Sequence, residues 1–77
     1  MNKDYVIDFI KLFINHGYDK VTITLKNGST ILIDTRIENI NYSLNSIEIT
    51  DLFDNRSFIE FSYELIKEIK INGNEEV

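Results

Sequence analysis

The sequence predicts an α+β domain that is mainly β, in which one N-terminal helix precedes a five-stranded antiparallel small barrel. Apolar side chains recur at helical spacing early in the chain, and later segments alternate apolar with polar side chains. Asparagine, glycine and aspartate separate the alternating segments, as expected for tight turns. A chain of 77 residues supports one core, so residues 1–77 form a single domain with the barrel at about 20–71 and a frayed tail at 72–77.

The helix is predicted at about residues 3–16. Its apolar residues at positions i, i+3, i+4 and i+7 are Val6, Phe9, Ile10 and Phe13. Asn2 or Asp4 is the candidate N-cap. Gly17 ends the helix, because glycine adopts the left-handed conformation that often follows a last helical turn.

The same helix carries more apolar side chains than contact with one sheet requires. The additional apolar residues are Tyr5, Ile7, Leu12 and Ile14. Either the fold wraps the helix on two sides or the helix meets a second subunit, and we favour the second subunit. The residues predicted for this homo-oligomer interface are Val6, Ile10, Phe13 and Ile14.

Burial decides the register of the first hairpin. The first strand alternates apolar and polar side chains, and the Asn27-Gly28 pair that follows it is typical of a hairpin turn. A two-residue loop would place Asp34 opposite Val21 in the core, which is unfavourable for a carboxylate. We therefore predict a three-residue loop with a left-handed Gly28, which sets Val21 opposite Ile33.

Three further strands follow the first. The second strand is predicted to continue through Thr35 and Ile37, and the third to span residues 46–50 with its isoleucines facing inward. A turn at 51–55 then leads to a fourth strand at 57–61.

The segment that follows the fourth strand has two interpretations. Apolar residues at every fourth position are compatible with a C-terminal helix that ends at Gly73. Ile69 and Ile71 also alternate with charged residues, which favours one tight turn and a fifth strand. We predict the turn and the strand.

The charge of the chain bears on its partners. Thirteen acidic and eight basic side chains give a net charge of −5, spread along the chain. Such a chain is repelled by nucleic-acid phosphates and by anionic lipid surfaces. Solubility alone explains a charge of this size, and the functional alternative is an acidic face that docks on a basic protein partner. In either case we expect neither nucleic acid nor membrane as a partner.

Other sequence signals bear on location. The chain has no cysteine, so neither a disulfide framework nor a thiolate metal site is available. The first residues lack the pattern of a secretory signal, and no segment reaches the roughly 20 apolar residues of a membrane-spanning helix. We expect a cytoplasmic protein.

No motif indicates catalysis. His16 has no nucleophile partner in a recognisable motif, and its position at the helix end favours capping or exposure. The acidic segment 51–55 lacks the ligand spacing of a calcium loop. Glu60, Glu64 and Glu68 show no sign of the shared burial that makes a carboxylate pair catalytic. We predict no catalytic residue, no metal and no cofactor, and hence no enzyme.

The order of elements and one motif resemble the Sm-like fold, an SH3-like small barrel. The motif is the apolar-x-apolar-x-Leu-x-Asn-Gly run at 21–28, which looks like the first Sm motif. Ile66 and Ile69 fall where the second motif has its apolar pair. The resemblance covers roughly residues 3–71 and implies a closed barrel of five strands.

Two groups of proteins with that fold imply different functions. The bacterial RNA chaperone Hfq forms rings and binds RNA through a Tyr-Lys-His motif, where this chain has Ser62-Tyr63-Glu64 without a basic residue. The Rho-binding antiterminator family has an acidic version of the barrel and inhibits a transcription termination factor by protein contact. This chain is similar to that family in acidity and in its helix-first order, which implies a protein-binding regulator.

Three aromatic residues in predicted loops are the candidate partner-binding residues. They are Tyr42, Phe53 and Tyr63. Packing alone does not explain a large aromatic side chain in a loop. We predict a noncatalytic protein-binding module, a small acidic regulator or inhibitor of a larger protein machine. The alternatives are a ring-forming Sm-like RNA-binding protein and a purely structural oligomer.

Overall fold

The computed structural model describes residues 1–53 and 57–71, which form one α-helix and six strands. In chain order the elements are α1 (Lys3–Asn15), β1 (Lys20–Leu25), β2 (Thr30–Asp34), β3 (Glu38–Tyr42), β4 (Ser46–Asp51), β5 (Ser57–Ser62), a 3-10 turn (Tyr63–Leu65) and β6 (Ile66–Ile71). The strands form two antiparallel sheets in the orders β2-β1-β6 and β3-β4-β5. The prediction of a mainly β chain with one N-terminal helix is confirmed.

Helix α1 begins and ends close to the predicted positions. The Asn2 side-chain oxygen accepts a hydrogen bond from the Tyr5 backbone N–H at 3.1 Å, so Asn2, and not Asp4, is the N-cap. Gly17 has a φ of 93°, and its N–H donates to the Ile14 carbonyl oxygen at 3.0 Å. These bonds satisfy backbone groups that the ends of a helix leave without intrahelical partners.

The β1–β2 hairpin has the predicted register. Val21 lies opposite Ile33, and Ile23 lies opposite Ile31. Gly28, the last residue of the three-residue loop, has a φ of 93°, which glycine adopts without the steric cost of a Cβ atom. The loop therefore keeps the apolar rows of both strands on the buried face.

The predicted second strand is broken in two, so the prediction of five strands was wrong. The Asp34 carboxylate accepts hydrogen bonds from the Arg36 backbone N–H at 3.0 Å and from its guanidinium at 2.9 Å. The Ile37 N–H donates to the Asp34 carbonyl oxygen at 3.0 Å. Side-chain bonds to nearby backbone groups compete with strand pairing. The chain therefore leaves one sheet at Asp34 and enters the other at Glu38, and the described strands form two sheets and not a closed barrel.

The region after β5 is a 3-10 turn followed by β6, as predicted, and not the alternative helix. The Ser62 hydroxyl oxygen accepts a hydrogen bond from the Glu64 N–H at 3.2 Å and thereby caps the turn. Strand β6 pairs with β1, with Val21 opposite Ile71. The last described strand is thus a neighbour of the first.

The hydrophobic core joins the helix to both sheets. Its buried residues are Val6, Ile10, Val21, Ile23, Leu25, Ile33, Ile47, Ile49, Phe61, Tyr63 and Ile66. Ile47 and Ile49 of β4 face inward, as predicted. Each fully buried valine or isoleucine side chain contributes about 1.5–3 kcal/mol of hydrophobic free energy.

Two predictions extend beyond the described residues. The turn predicted at 51–55 begins with Leu52 and Phe53 after β4, and its residues 54 and 55 lie outside the described ranges. The frayed tail predicted at 72–77 lies outside them entirely. Neither prediction is tested there.

Candidate functional site

An exposed apolar surface lies where two turns meet. Phe53, in the turn after β4, is 80% exposed. Leu52 beside it is exposed as well, and so is Ile37 in the turn between β2 and β3. The Leu52 N–H donates to the Ile37 carbonyl oxygen at 2.9 Å, which holds the two turns together. We call Ile37, Leu52 and Phe53 the turn patch.

Hydrogen bonds fix the backbone that presents the turn patch. The Asp51 carboxylate oxygen Oδ1 accepts a hydrogen bond from the Phe53 N–H at 2.7 Å. Aspartate commonly stabilises turns in this way, by bonding the backbone two residues ahead. Glu38, which follows Ile37, lies opposite Asp51 in the β3–β4 pair. Both turns are therefore anchored to the same end of one strand pair.

Acidic side chains surround the turn patch. Arg36 forms ion pairs with Asp34 at 2.9 Å and with Asp19 at 3.3 Å. Hydrogen bonds from the Arg36 side chain and backbone lower the pKa of Asp34 to about 2. Glu38 and Asp51 add two more carboxylates at this end of the molecule. Among residues 1–53 and 57–71, carboxylates outnumber basic side chains at this end of the molecule, so the described surface around the patch carries negative charge.

A small groove lies on the outer side of the β1–β2 pair and adjoins the turn patch. Its volume is about 190 Å³. Its lining residues are Lys20, Thr22, Leu32, Ile33, Asp34 and Glu38. Ligand pockets usually measure roughly 300–1,000 Å³. The groove is therefore better suited to a single side chain of a partner than to a complete small-molecule ligand.

Tyr63 was predicted as a partner-binding residue, and the structure places it in the core. It is 4% exposed, and its hydroxyl donates a hydrogen bond to the Ser43 carbonyl oxygen at 2.9 Å. Burial raises the pKa of that hydroxyl. The prediction was wrong because a tyrosine in a turn can fold inward when its hydroxyl finds a partner at the edge of the core.

Tyr42, the second predicted contact, lies in strand β3 and not in a loop. Its ring is half-buried against the core, and burial, together with the neighbouring Tyr63, raises the pKa of Tyr42 to about 12. The Lys11 ammonium lies 5.6 Å from the centre of its ring, within the range of a cation–π interaction. Tyr42 and Phe53 lie at opposite ends of the β3–β4 pair, so the predicted contacts do not form one site.

The residues predicted for an oligomer interface divide into two groups. Val6 and Ile10 are 0% exposed in the core of their own chain, so for them the prediction was wrong. Ile14 is half-buried and packs against the same core. Phe13 is half-buried, and its ring centre lies 5.0 Å from that of Phe9.

Ile37 and Leu52 are members of the turn patch that sequence reasoning missed. The sequence prediction places Ile37 inside a continuous second strand, where half of the side chains face the core. The Asp-Thr-Arg segment before it is the available signal, because aspartate often bonds the backbone two residues ahead and starts a turn. Leu52 follows Asp51, which is a signal of the same kind.

Some kinds of site have no counterpart in residues 1–53 and 57–71. No group of three or more histidine, cysteine, aspartate or glutamate side chains there could hold a metal ion. His16 is exposed at the helix end, with Nδ1 2.7 Å from the Leu12 carbonyl oxygen, as in a helix cap. In the same ranges no helix has both the length and the apolar character needed to cross a membrane.

Comparison with known proteins gives no relative from which a role could be transferred. No family model matches the chain, and no curated protein and no solved structure matches it. Together, the fold and the turn patch define a small, mainly β domain with an exposed apolar surface at one end of the β3–β4 pair.

Proposed function

We propose that this chain is a noncatalytic protein-binding module and that the turn patch contacts its partner. The observation that carries the proposal is the exposure of Phe53, which is fixed beside Ile37 and Leu52 by backbone hydrogen bonds. Aromatic side chains are enriched among the residues that dominate binding energy. A contact surface that is rigid before binding also loses less conformational entropy when the complex forms.

The partner that suits this surface has an apolar pocket with a basic rim. The carboxylates of Asp34, Glu38 and Asp51 lie around the turn patch, and the whole chain carries a net charge of −5. Complementary charge steers association and favours partners of the opposite sign. In this proposal the chain acts in the cytoplasm as a small regulator or inhibitor of a larger, basic protein machine.

We also propose that the fold is an open, six-stranded relative of the Sm-like, SH3-like barrels. The order of elements supports this: a helix comes first, then a hairpin closed by a left-handed Gly28, and a 3-10 turn before the last strand. Strands β2 and β3 together take the place of the long bent second strand. This kinship favours a Rho-binding antiterminator type of role, inhibition by protein contact.

Differential capture from cells of the source organism tests the contact surface. Three tagged forms are compared: the wild type, Phe53→Ser and Leu44→Ser. Captured proteins are cross-linked and then quantified by mass spectrometry with isotope-labelled samples. Leu44 is the matched control because it is 77% exposed, also apolar, and located at the other end of the β3–β4 pair. A true partner should be lost by Phe53→Ser and retained by Leu44→Ser.

Titration of the purified partner then gives the size of the effect. Removal of an aromatic hot spot costs at least about 2 kcal/mol, so we expect Phe53→Ser to weaken binding roughly 30-fold or more. Binding of the wild type should also weaken as salt is added, because exposed charges are screened. Equal recovery of every captured protein by wild type and Phe53→Ser would show that the turn patch is not the contact surface.

A ring-forming RNA-binding protein is the second candidate. The observation that favours it is that β5 and β6 are edge strands of the two sheets. Within the described strands β5 pairs with β4 alone and β6 with β1 alone, so each leaves its other edge open for another subunit. Native mass spectrometry of the protein purified from its own cells separates the two candidates. A ring of about six or seven subunits with bound RNA would favour this candidate over the protein-binding module.

A further inference from the structure

Helix α1 carries a second apolar stripe beside the face that it buries. Its members recur at i, i+4, i+7 and i+8 and are Tyr5, Phe9, Leu12 and Phe13. We call these four residues the helix stripe. Tyr5 is 54% exposed and Leu12 is 53% exposed. None of the four is among the core residues or the half-buried apolar residues packed against them in the described part of the chain.

The aromatic rings of the helix stripe lie next to one another in a row. The ring centres of Tyr5 and Phe9 are 5.7 Å apart, and those of Phe9 and Phe13 are 5.0 Å apart. Tyr18, after the helix, extends the row with its ring centre 5.8 Å from that of Phe13. These spacings are favourable for aromatic pairs. Side chains that already pack against one another lose less side-chain entropy on association than free side chains do.

The helix stripe lies on an element that has no net charge. The charged residues of α1 are two lysines and two aspartates, Lys3, Lys11, Asp4 and Asp8. The net charge of −5 therefore lies on the rest of the chain. A basic partner would be drawn to that remainder, where the turn patch lies. A second copy of the chain can approach helix to helix without net repulsion between the two helices.

We propose that two copies of this chain associate through the helix stripe in a two-fold symmetric contact. In such a contact the same residues of both copies meet, and Phe9, in the middle of the row, faces its own counterpart. Four residues per copy make a smaller interface than the roughly 800 Å² per partner of a standard complex. The dimer should therefore be weak, and its fraction should rise with protein concentration. It uses no residue of the turn patch and does not depend on the proposed function.

Sedimentation of the purified chain over a concentration series tests the dimer. The wild type should change from monomer to dimer at concentrations below about 1 mM. Leu12→Asp places one carboxylate from each copy in the apolar contact, so we expect the dimer dissociation constant to rise at least about a hundredfold. Leu44→Asp makes the same change at an exposed leucine outside helix α1 and should dimerise like the wild type. Circular dichroism verifies that both variants are folded.

A single introduced cysteine tests the symmetry of the contact. The chain has no cysteine of its own, so each new thiol reports one position. Under mild oxidation Phe9→Cys should form a covalent dimer much faster than Leu44→Cys. The proposal is overturned by a wild type that stays monomeric throughout, by equal dimerisation of Leu12→Asp and wild type, or by equal cross-linking of the two cysteine variants.

Discussion

Tyr63 and Phe53 are two large aromatic residues in turns of the same small domain, and they have opposite surroundings. Tyr63 lies in the 3-10 turn between β5 and β6, 4% exposed and bonded to the Ser43 carbonyl oxygen. Phe53 lies in the turn after β4, 80% exposed, and the bond that fixes its position is made by its backbone. The side chain of Tyr63 is part of the core, and that of Phe53 is exposed to solvent.

The difference shows what decides the direction of an aromatic side chain in a turn. The Tyr63 hydroxyl satisfies a backbone carbonyl at the edge of the core, so burial of the ring leaves no polar atom unpaired. Tyr63 also belongs to the segment that connects β5 of one sheet to β6 of the other, and its side chain is part of the core that both sheets share. Phe53 follows the end of β4, where its N–H donates a hydrogen bond to the Asp51 carboxylate and the chain turns.

The largest expected effect is that of Tyr63→Ala. Removal of a buried aromatic side chain typically costs about 3–5 kcal/mol of the free energy of unfolding, because it deletes contacts and leaves a cavity. Urea denaturation of Tyr63→Ala and Phe53→Ala gives both values under the same conditions. Equal losses of stability in the two variants would contradict the difference in burial described above.

Tyr63→Phe separates the hydroxyl from the ring. This variant keeps the buried ring and removes the donor to the Ser43 carbonyl oxygen, which should cost about 0.5–1.5 kcal/mol. The same urea titration measures the loss. A variant as stable as the wild type would mean that the hydroxyl does not hold the ring in place.

Alkaline pH should lower the free energy of unfolding, because Tyr42 and Tyr63 lose protons more readily in the unfolded chain. Burial raises the pKa of Tyr42 from 10.0 to about 12, and that of Tyr63 rises as well. Below pH 10 both tyrosines are protonated whether the chain is folded or not, so their contribution is fully present. Between about pH 10 and 12 the unfolded chain loses protons that the folded chain retains, so stability falls as pH rises.

Tyr42→Phe is the variant that tests this pH dependence. It removes one of the two titrating groups, so its urea midpoint should fall less than that of the wild type between about pH 10 and 12. Identical curves for the two proteins would show that Tyr42 has an ordinary pKa in the folded chain.

The smallest expected effect on stability is that of Phe53→Ser. Surface substitutions away from caps and buried networks usually change the free energy of unfolding by less than about 0.5 kcal/mol. Thermal and urea denaturation of the purified variant measure the change. A loss above about 2 kcal/mol would mean that Phe53 supports the fold, and any loss of partner binding in this variant would then have an indirect cause.

Local chemistry made much of the fold predictable from the sequence. The three-residue loop at Gly28 followed from the cost of placing Asp34 opposite Val21 in the core, and the observed register agrees with it. The turn and strand after β5 followed from the alternation of Ile69 and Ile71. In each case a steric or burial requirement of a few neighbouring residues was sufficient.

The remaining features depend on contacts that the sequence pattern does not reveal. The break after Asp34 depends on the hydrogen bonds that its carboxylate accepts from Arg36. Alternation of apolar and polar residues does not show whether a backbone N–H bonds a neighbouring strand or a nearby side chain. The burial of Tyr63 depends on Ser43, twenty positions away along the chain. The helix periodicity identified the apolar residues of α1, but not which of them the sheets would cover.

The pairing of β1 with β6 has a consequence for how the chain folds. Strands β3, β4 and β5 are joined by short connections and can pair as soon as neighbouring segments meet, whereas Val21 and Ile71 must close a loop of fifty positions. Long-range pairings of this kind slow folding, because the chain loses loop entropy before the contacts stabilise it. We expect the β3-β4-β5 meander to form early and the docking of β6 on β1 to limit the folding rate.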